Sequence, residues 1–193
     1  MAISEEKSVL RKILLNKRKA IPYDRWEALS TSVIDNLKNI PQFIEARCIH
    51  VFVSMNERNE VNTQPLIQEL ISRGIKVIVP ITDFESGTLN HSMLTSFEEL
   101  ESNKWGVLEP KEMDETDYKP DIILVPLLAA DLEFNRLGYG KGFYDRFLSE
   151  SSALTIGLVF QEYILNKIPV ERFDQKLDIL VTEKEVFTRN NQN

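Results

Sequence analysis

Apolar positions follow two rhythms along the chain: helical spacing through about residue 40, then short dense runs separated by polar loops. In the first helix, about sixteen residues long, Leu10, Ile13 and Leu14 form one stripe, with Ser4 as the expected cap and Glu5 and Glu6 in the first turn. Ile21-Pro22 interrupts the pattern, and Pro22 suits the entry of a second helix. Trp26, Leu29, Val33, Ile34, Leu37 and Ile40 carry the helical period onward until Pro41 ends it or starts a short turn. Arg47–Val53 then reads as a first strand.

A polar loop, Ser54–Val61, leads to a helix over Gln64–Arg73, capped by Asn62 or Thr63 and closed by Gly74. Lys76–Ile81 is a second buried strand, and a strand–helix–strand unit implies parallel pairing. Thr82–Glu115 is less regular, with a strand expected at Thr88–Leu94 after a turn at Gly87, a helical turn at Ser96–Leu100, and an ordered loop at Trp105–Pro110. The apolar run Ile122–Ala130 contains a buried strand, Ile122–Leu128, and a glycine-rich loop and a helix over Phe143–Leu148 follow it. Leu154–Phe160 is a further buried strand, Gln161–Leu165 a short helix before Pro169, and Phe173–Thr182 a loop and final strand.

This alternation predicts one α/β domain over residues 1–193, a three-layer α/β/α arrangement with a mostly parallel sheet. The N-terminal helical segment, residues 1–40, is expected to pack on it, and the tail from about Arg189 to fray. A chain of 193 residues buries about 70% of its unfolded surface, so it needs no disulfide or structural metal to fold. The formal net charge of -7 argues against general nucleic-acid binding. No apolar run is long enough to span a bilayer and the first residues hold no apolar signal core, so a soluble, cytoplasmic protein without membrane partners is expected. Cys48 is the only cysteine and is read as a buried, inert thiol. His50 and His91 lie at no metal-ligand spacing and are read as structural or surface residues.

The chemistry concentrates in Asn135–Phe147. Gly138, Gly140 and Gly142 are three of the chain's seven glycines, placed between a strand and a helix start, where backbone can approach an anion closely. Arg136, Lys141 and Arg146 add cationic donors. The spacing G-x-G-x-G is neither the dinucleotide fingerprint nor the P-loop, and Gly142 replaces the hydroxyl that a P-loop gives to magnesium. The segment reads as a phosphate-binding loop, with a tight turn and solvated cations as the alternative. Asp145 beside bound phosphates implies an intervening Mg²⁺, or else complements the helix dipole. Lys7 and Arg11 share a helix face, as an anion clamp or a solvated basic surface. Glu60 lies in a loop at a strand end, where ligands of open α/β sheets collect.

These residues resemble the 5-formyltetrahydrofolate cyclo-ligase family. Arg136-Leu137-Gly138-Tyr139-Gly140-Lys141-Gly142-Phe143-Tyr144-Asp145-Arg146 is similar to its R-L-G-x-G-x-G-Y-Y-D-R signature, and Lys7-Ser8-Val9-Leu10-Arg11 to its K-x-x-L-R. Glu60-Val61-Asn62-Thr63, Trp105-Gly106 with Glu109-Pro110, and Asp174 with Asp178–Glu183 extend the likeness over about residues 7–183. Phe134 stands where the pattern has glycine, and Phe143 where it has tyrosine, removing a hydroxyl.

The resemblance implies an enzyme that uses Mg-ATP to convert 5-formyltetrahydrofolate, polyglutamylated forms included, to 5,10-methenyltetrahydrofolate. The formyl oxygen would be phosphorylated, nitrogen-10 would attack the resulting imidoyl-phosphate carbon, and phosphate would leave. It also implies roles for individual residues. Lys7 through Arg11 (Ser8, Val9 and Leu10 included) and Arg136 through Tyr144 (Leu137 included) would bind ATP. Arg136 and Lys141 would stabilise the charge that develops in transfer, and Asp145 and Asp174 would hold Mg²⁺. Met55, Glu60, Trp105 and the loop Tyr139–Phe143 would face the folate. A monomer or weak homodimer is expected. The competing readings are a non-catalytic folate-binding protein and a phosphosugar or acyl-CoA enzyme on a similar scaffold.

Overall fold

The first helix buries an unusual stripe. In the computed structural model, which describes residues 2–103, 106–113 and 119–189, α1 (Ile3–Lys19) buries Lys7, Leu14 and Arg18, while Ile13 is exposed. The apolar stripe expected at Ile13 is therefore narrower, and two cations share the inward face. Ser4 lies inside the helix instead of capping it. Ala2 is the cap residue, and the Glu5 carboxylate accepts from its N–H at 3.3 Å. α2 (Tyr23–Lys38) follows Pro22 and buries Trp26, Val33, Ile34 and Leu37, and α3 (Pro41–Glu45) is a short helix anchored by Phe43.

The sheet elements are β1 (Cys48–His50), β2 (Lys76–Asp83), β3 (Thr88–Leu94), β4 (Leu100–Ser102), β5 (Leu108–Pro110) and β6 (Ile122–Val125). They continue with β7 (Ala129–Asp131), β8 (Arg136–Leu137), β9 (Leu154–Leu158), β10 (Ile164–Leu165), β11 (Ile179–Val181) and β12 (Val186–Thr188). Seven of them form one sheet in the order β12-β11-β9-β6-β1-β2-β3. Its interior pairs are parallel, and both edge pairs, β2–β3 and β11–β12, are antiparallel. The central strands suit burial on both faces: Ile122–Val125 is wholly buried. α4 (Gln64–Ser72) crosses between β1 and β2 and packs on β2, α2 touches β11, and α5 (Phe143–Ser149) lies beside β3. The α/β class with a mostly parallel sheet is as expected.

Three sequence expectations change. The run Ile122–Leu128 is not one strand. Pro126 cannot donate a ladder bond, so β6 stops at Val125 and the chain re-enters a second, three-stranded sheet, β10-β7-β8. Gln161–Leu165 is a 3-10 turn at Gln161–Tyr163 followed by strand β10, paired to β7. The glycine-rich loop consequently follows β8 of the small sheet instead of a strand of the large one. Ile179–Val181, β11, is the strand expected within Phe173–Thr182, whereas β4, β5 and β12 are strands that no periodicity announced. Cys48 is only partly buried, and desolvation with the nearby Asp121 raises its thiol pKa.

Phe134 occupies a backbone position that suits glycine. Its φ is +66°, a left-handed conformation that bulky residues rarely hold. The turn is over-determined by the buried Asp131 carboxylate, which accepts from the N–H groups of Glu133 (3.0 Å), Asn135 (3.0 Å) and Ile168 (2.8 Å). The Phe134 carbonyl in turn accepts from Leu177 N–H at 3.0 Å. The same turn sets the start of β8, and hence the position of Arg136.

Candidate active site

Chain segments leaving the C-terminal ends of β1 and β6 open the sheet into a cleft of about 1150 Å³. Phe52, Val53 and Met55 line it from the first segment, Pro126 and Leu128 from the second. α1 and the glycine loop close one side with Lys7, Arg11, Gly138 and Gly140. The β2–β3 hairpin adds Pro80, Thr82, Phe84 and Leu89 to the lining. The cleft thus has a cationic end and an apolar wall.

At the cationic end the backbone comes close to side chains. Gly140 has φ +91°, and a Cβ there would sit 2.8 Å from the Arg11 guanidinium carbon. Arg11 Nε donates to the Gly138 carbonyl at 2.8 Å, so the helix and the loop are clasped. Gly142, at φ +68°, caps α5, and Arg146 reaches across from α5 to the carbonyls of Gly87 and Lys141.

Each carboxylate assigned to magnesium is held by a protein cation. Lys7, buried in α1, bonds Asp174 through Nζ and lies 3.0 Å from Glu171 Oε2. Arg136 Nη2 donates to Asp145 Oδ1 at 2.8 Å, and Asp145 also accepts from Gln175 N–H at 3.0 Å. Burial lowers the Arg136 pKa from its ordinary value, against the raising effect of Asp145 and Asp174, and Arg136 Nε is buried without a partner. A buried guanidinium with a spare donor favours an added anion. The fit to a nucleotide phosphate chain is therefore good. For Mg²⁺ the carboxylates at this end are Asp145, Asp174 and Glu171, and among the described residues no group of three or more histidine, cysteine or acidic side chains could hold a metal alone. One or two carboxylates completed by phosphate oxygens is the usual magnesium arrangement. The donor set fits the ion only together with the anion.

Beside the glycine loop, the 55–60 segment is organised by Glu60. Its Oε2 accepts from Met55 N–H at 2.7 Å, closing the loop around a 3-10 turn at Asn56–Arg58. The Tyr139 hydroxyl donates to Oε1, and Trp26 Nε1 donates to the Glu60 carbonyl at 2.6 Å. Burial, and after it Glu60, push the Tyr139 phenol far above its ordinary pKa, so it remains a donor. On the apolar wall Phe143 and Phe84 meet edge to face at 5.7 Å. Behind them Tyr144, its hydroxyl buried and unpartnered, packs near His50. His50 is buried and its Nε2 lies 3.2 Å from Nδ1 of the half-buried His91, with Phe147 packed against both rings.

Comparison with known proteins supplies the remaining observation. The sequence profile of the 5-formyltetrahydrofolate cyclo-ligase family matches residues 3–183. The chain belongs to that family. It is 33% identical to a probable 5-formyltetrahydrofolate cyclo-ligase of Schizosaccharomyces pombe over 96% of this chain and 98% of the relative. The 5-formyltetrahydrofolate cyclo-ligase of Mus musculus is 31% identical over 95% of this chain and 96% of that one. The solution structure of Aquifex aeolicus 5,10-methenyltetrahydrofolate synthetase superposes with a TM-score of 0.84 at 32% identity, covering 97% of this chain and 95% of that one.

Of the candidate site residues, Lys7, Arg11, Met55, Glu60, Arg136, Gly138 through Asp145, and Asp174 all line the cleft. Ser8, Val9 and Leu10 do not, because they turn off the helix face shared by Lys7 and Arg11. Leu137 is wholly buried in β8. Trp105 lies outside the described residues. Sequence reasoning missed Glu171, Arg58, Phe84 and Phe173, which also line the cleft. Arg58 is signalled weakly, as a cation in the loop already marked by Glu60, whereas Glu171 has no local signal at all.

Proposed function

We propose that this protein converts 5-formyltetrahydrofolate to 5,10-methenyltetrahydrofolate with Mg-ATP, through a phosphorylated formyl group, releasing ADP and phosphate. The observation that carries the reading is the meeting, in one cleft, of the cyclo-ligase glycine loop, its clasping α1 cations and an apolar wall. Bound Mg-ATP supplies the phosphoryl group that turns the formyl oxygen into a leaving group. The chain's own residues position and neutralise. Arg136, which lines the cleft, and exposed Lys141 offer positive charge to the group that develops negative charge in transfer. Arg11 and the loop backbone at Gly138–Gly142 hold the phosphate chain. Phe84 and Phe143 cover the flat folate rings, and Glu60 and Tyr139 offer polar contacts beside them.

Asp145 and Asp174 would hold Mg²⁺, and they are paired to Arg136 and Lys7 beforehand. Binding would then exchange partners, with Lys7 and Arg136 turning to phosphate and Asp174 and Asp145 to the metal. Either ligand alone would strand charges in a partly buried site, so nucleotide and metal should bind cooperatively. A folate-binding protein without turnover would have no use for this set. The test is phosphate release from ATP with and without 5-formyltetrahydrofolate. One phosphate per methenyl product is expected; release indifferent to the folate would contradict the reading.

A further inference from the structure

Behind the cleft wall, at the end of α1, lies a buried guanidinium. Arg18 is 4% exposed, and it does not line the cleft. Its Nε donates to the Arg58 carbonyl at 2.8 Å and its Nη1 to the Leu127 carbonyl at 2.9 Å. Its Nη2 donates to the Tyr139 hydroxyl and stands 3.9 Å from Glu60 Oε1, the atom to which that hydroxyl itself donates. Glu60 passes the constraint on through its bond to Met55 N–H. One side chain from the helix therefore grips three segments: the loop at 55–60, the linker after β6 and the glycine loop.

Stability does not explain this arrangement. A whole buried ion pair can often be replaced by apolar side chains of equal volume at no cost, so the fold does not require charge here, although removing Arg18 alone strands the Arg58 and Leu127 carbonyls and the Glu60 carboxylate. The charge earns its place by what it orients. Arg58, Glu60, Met55 and Tyr139, all held directly or at one remove by Arg18, do line the cleft.

We propose that Arg18 is a positioning residue that ties Tyr139 of the glycine loop to Glu60, fixing the folate-facing wall in register with the nucleotide-facing loop. The proposal rests on the functional reading above. The reacting oxygen sits on one ligand and the phosphoryl group on the other, so register between the two walls sets the attack distance. A misplacement of about 1 Å at such a centre costs about 100-fold in rate.

The test is a double-mutant cycle on the full chain, with Arg18→Met, Tyr139→Phe and both together, plus Arg18→Lys. Arg18→Met should lower kcat by about 10- to 100-fold and raise the KM for 5-formyltetrahydrofolate more than that for ATP. Arg18→Lys, which keeps the charge and loses the fork, should recover part of the loss. The double variant should be little worse than Arg18→Met, because both substitutions break one linkage. Amide exchange supplies a readout that does not need turnover. In Arg18→Met, exchange at Met55 should accelerate about tenfold or more while β6 amides keep their protection. Were the wild type inactive on the folate, the functional reading would fail and the positioning claim would be decided by exchange. Unchanged kinetics in a folded Arg18→Met, multiplicative losses in the double variant, or exchange that accelerates equally throughout would each overturn the proposal. If Arg18→Met does not fold, the cycle with Arg18→Lys decides it by the same criteria.

Discussion

Replacing Gly140 by alanine strikes the clasp between α1 and the glycine loop, and the structure permits an estimate of the damage. The residue sits at φ +91°, where an L side chain costs about 1–2 kcal/mol. Its new Cβ would lie 2.8 Å from Arg11 Cζ and 3.0 Å from Nη1, so the guanidinium must withdraw. Withdrawal breaks the 2.8 Å bond to the Gly138 carbonyl, a charged hydrogen bond worth about 1.5–3 kcal/mol, and the lower end applies because water reaches the site. Together these give about 3 kcal/mol, or a fall in Tm of about 6–12 °C for a chain of this size. Gly74 is the control. It has φ +73° with nothing within 4 Å of an added Cβ, so Gly74→Ala meets the backbone strain alone. Thermal unfolding and nucleotide titration of both variants separate the two effects. Gly140→Ala should be the less stable and should bind ATP more weakly, whereas Gly74→Ala should bind it normally. Equal stability and equal affinity in the two variants would refute the clasp.

Other perturbations test other parts of the site. Lys141→Ala should lower turnover by about 10²–10³-fold with Tm nearly unchanged, since the side chain is exposed; near-normal turnover would remove Lys141 from its role. Phe134→Gly relieves about 1–2 kcal/mol of left-handed strain but forfeits about 3–5 kcal/mol of aromatic burial, so urea denaturation should show net destabilisation, and a gain would contradict the balance. Burial, and at His50 also the neighbouring His91, lowers both histidine pKa values. The unfolded chain therefore binds protons below about pH 6.5 that the folded chain refuses. Their contribution is complete above that pH and is lost as pH falls toward the folded pKa values, by up to about 1.4 kcal/mol per pH unit for each histidine. His91→Phe should flatten the stability slope between pH 7 and 5 by the His91 share, and an unchanged slope would exclude His91 as one of its sources.

What the sequence disclosed was whatever lies contiguous or periodic in it. The second helix, the Thr88–Leu94 strand and the parallel β1–β2 unit follow from spacing alone, and the observed elements match them. The glycine loop and the Lys7/Arg11 face are legible for the same reason: each is a local pattern whose chemistry needs close neighbours. Elements fixed by tertiary pairing were not legible. Strand β10 has two residues and exists because β7 lies beside it, and Pro126 divides an apolar run that composition alone cannot divide. Ile13 looks like core and is exposed, because the inward face of α1 is given to Lys7 and Arg18. The partners of the site's charges were equally hidden. The family resemblance makes Asp145 and Asp174 metal ligands and carries no sign that Arg136 and Lys7 pair with them. Arg18 meets Glu60 and Tyr139 across 42 and 121 positions of chain, respectively, a separation that no motif spans.

The most direct test of the cyclo-ligase reading is near-ultraviolet absorbance, where the conjugated methenyl product absorbs and the formyl substrate does not. Purified protein is mixed with 5-formyltetrahydrofolate and ATP, with and without magnesium. Absorbance that rises only when ATP and magnesium are both present is the predicted result. No rise with all components present, by protein that still binds the folate, would contradict it and leave a folate-binding protein without turnover.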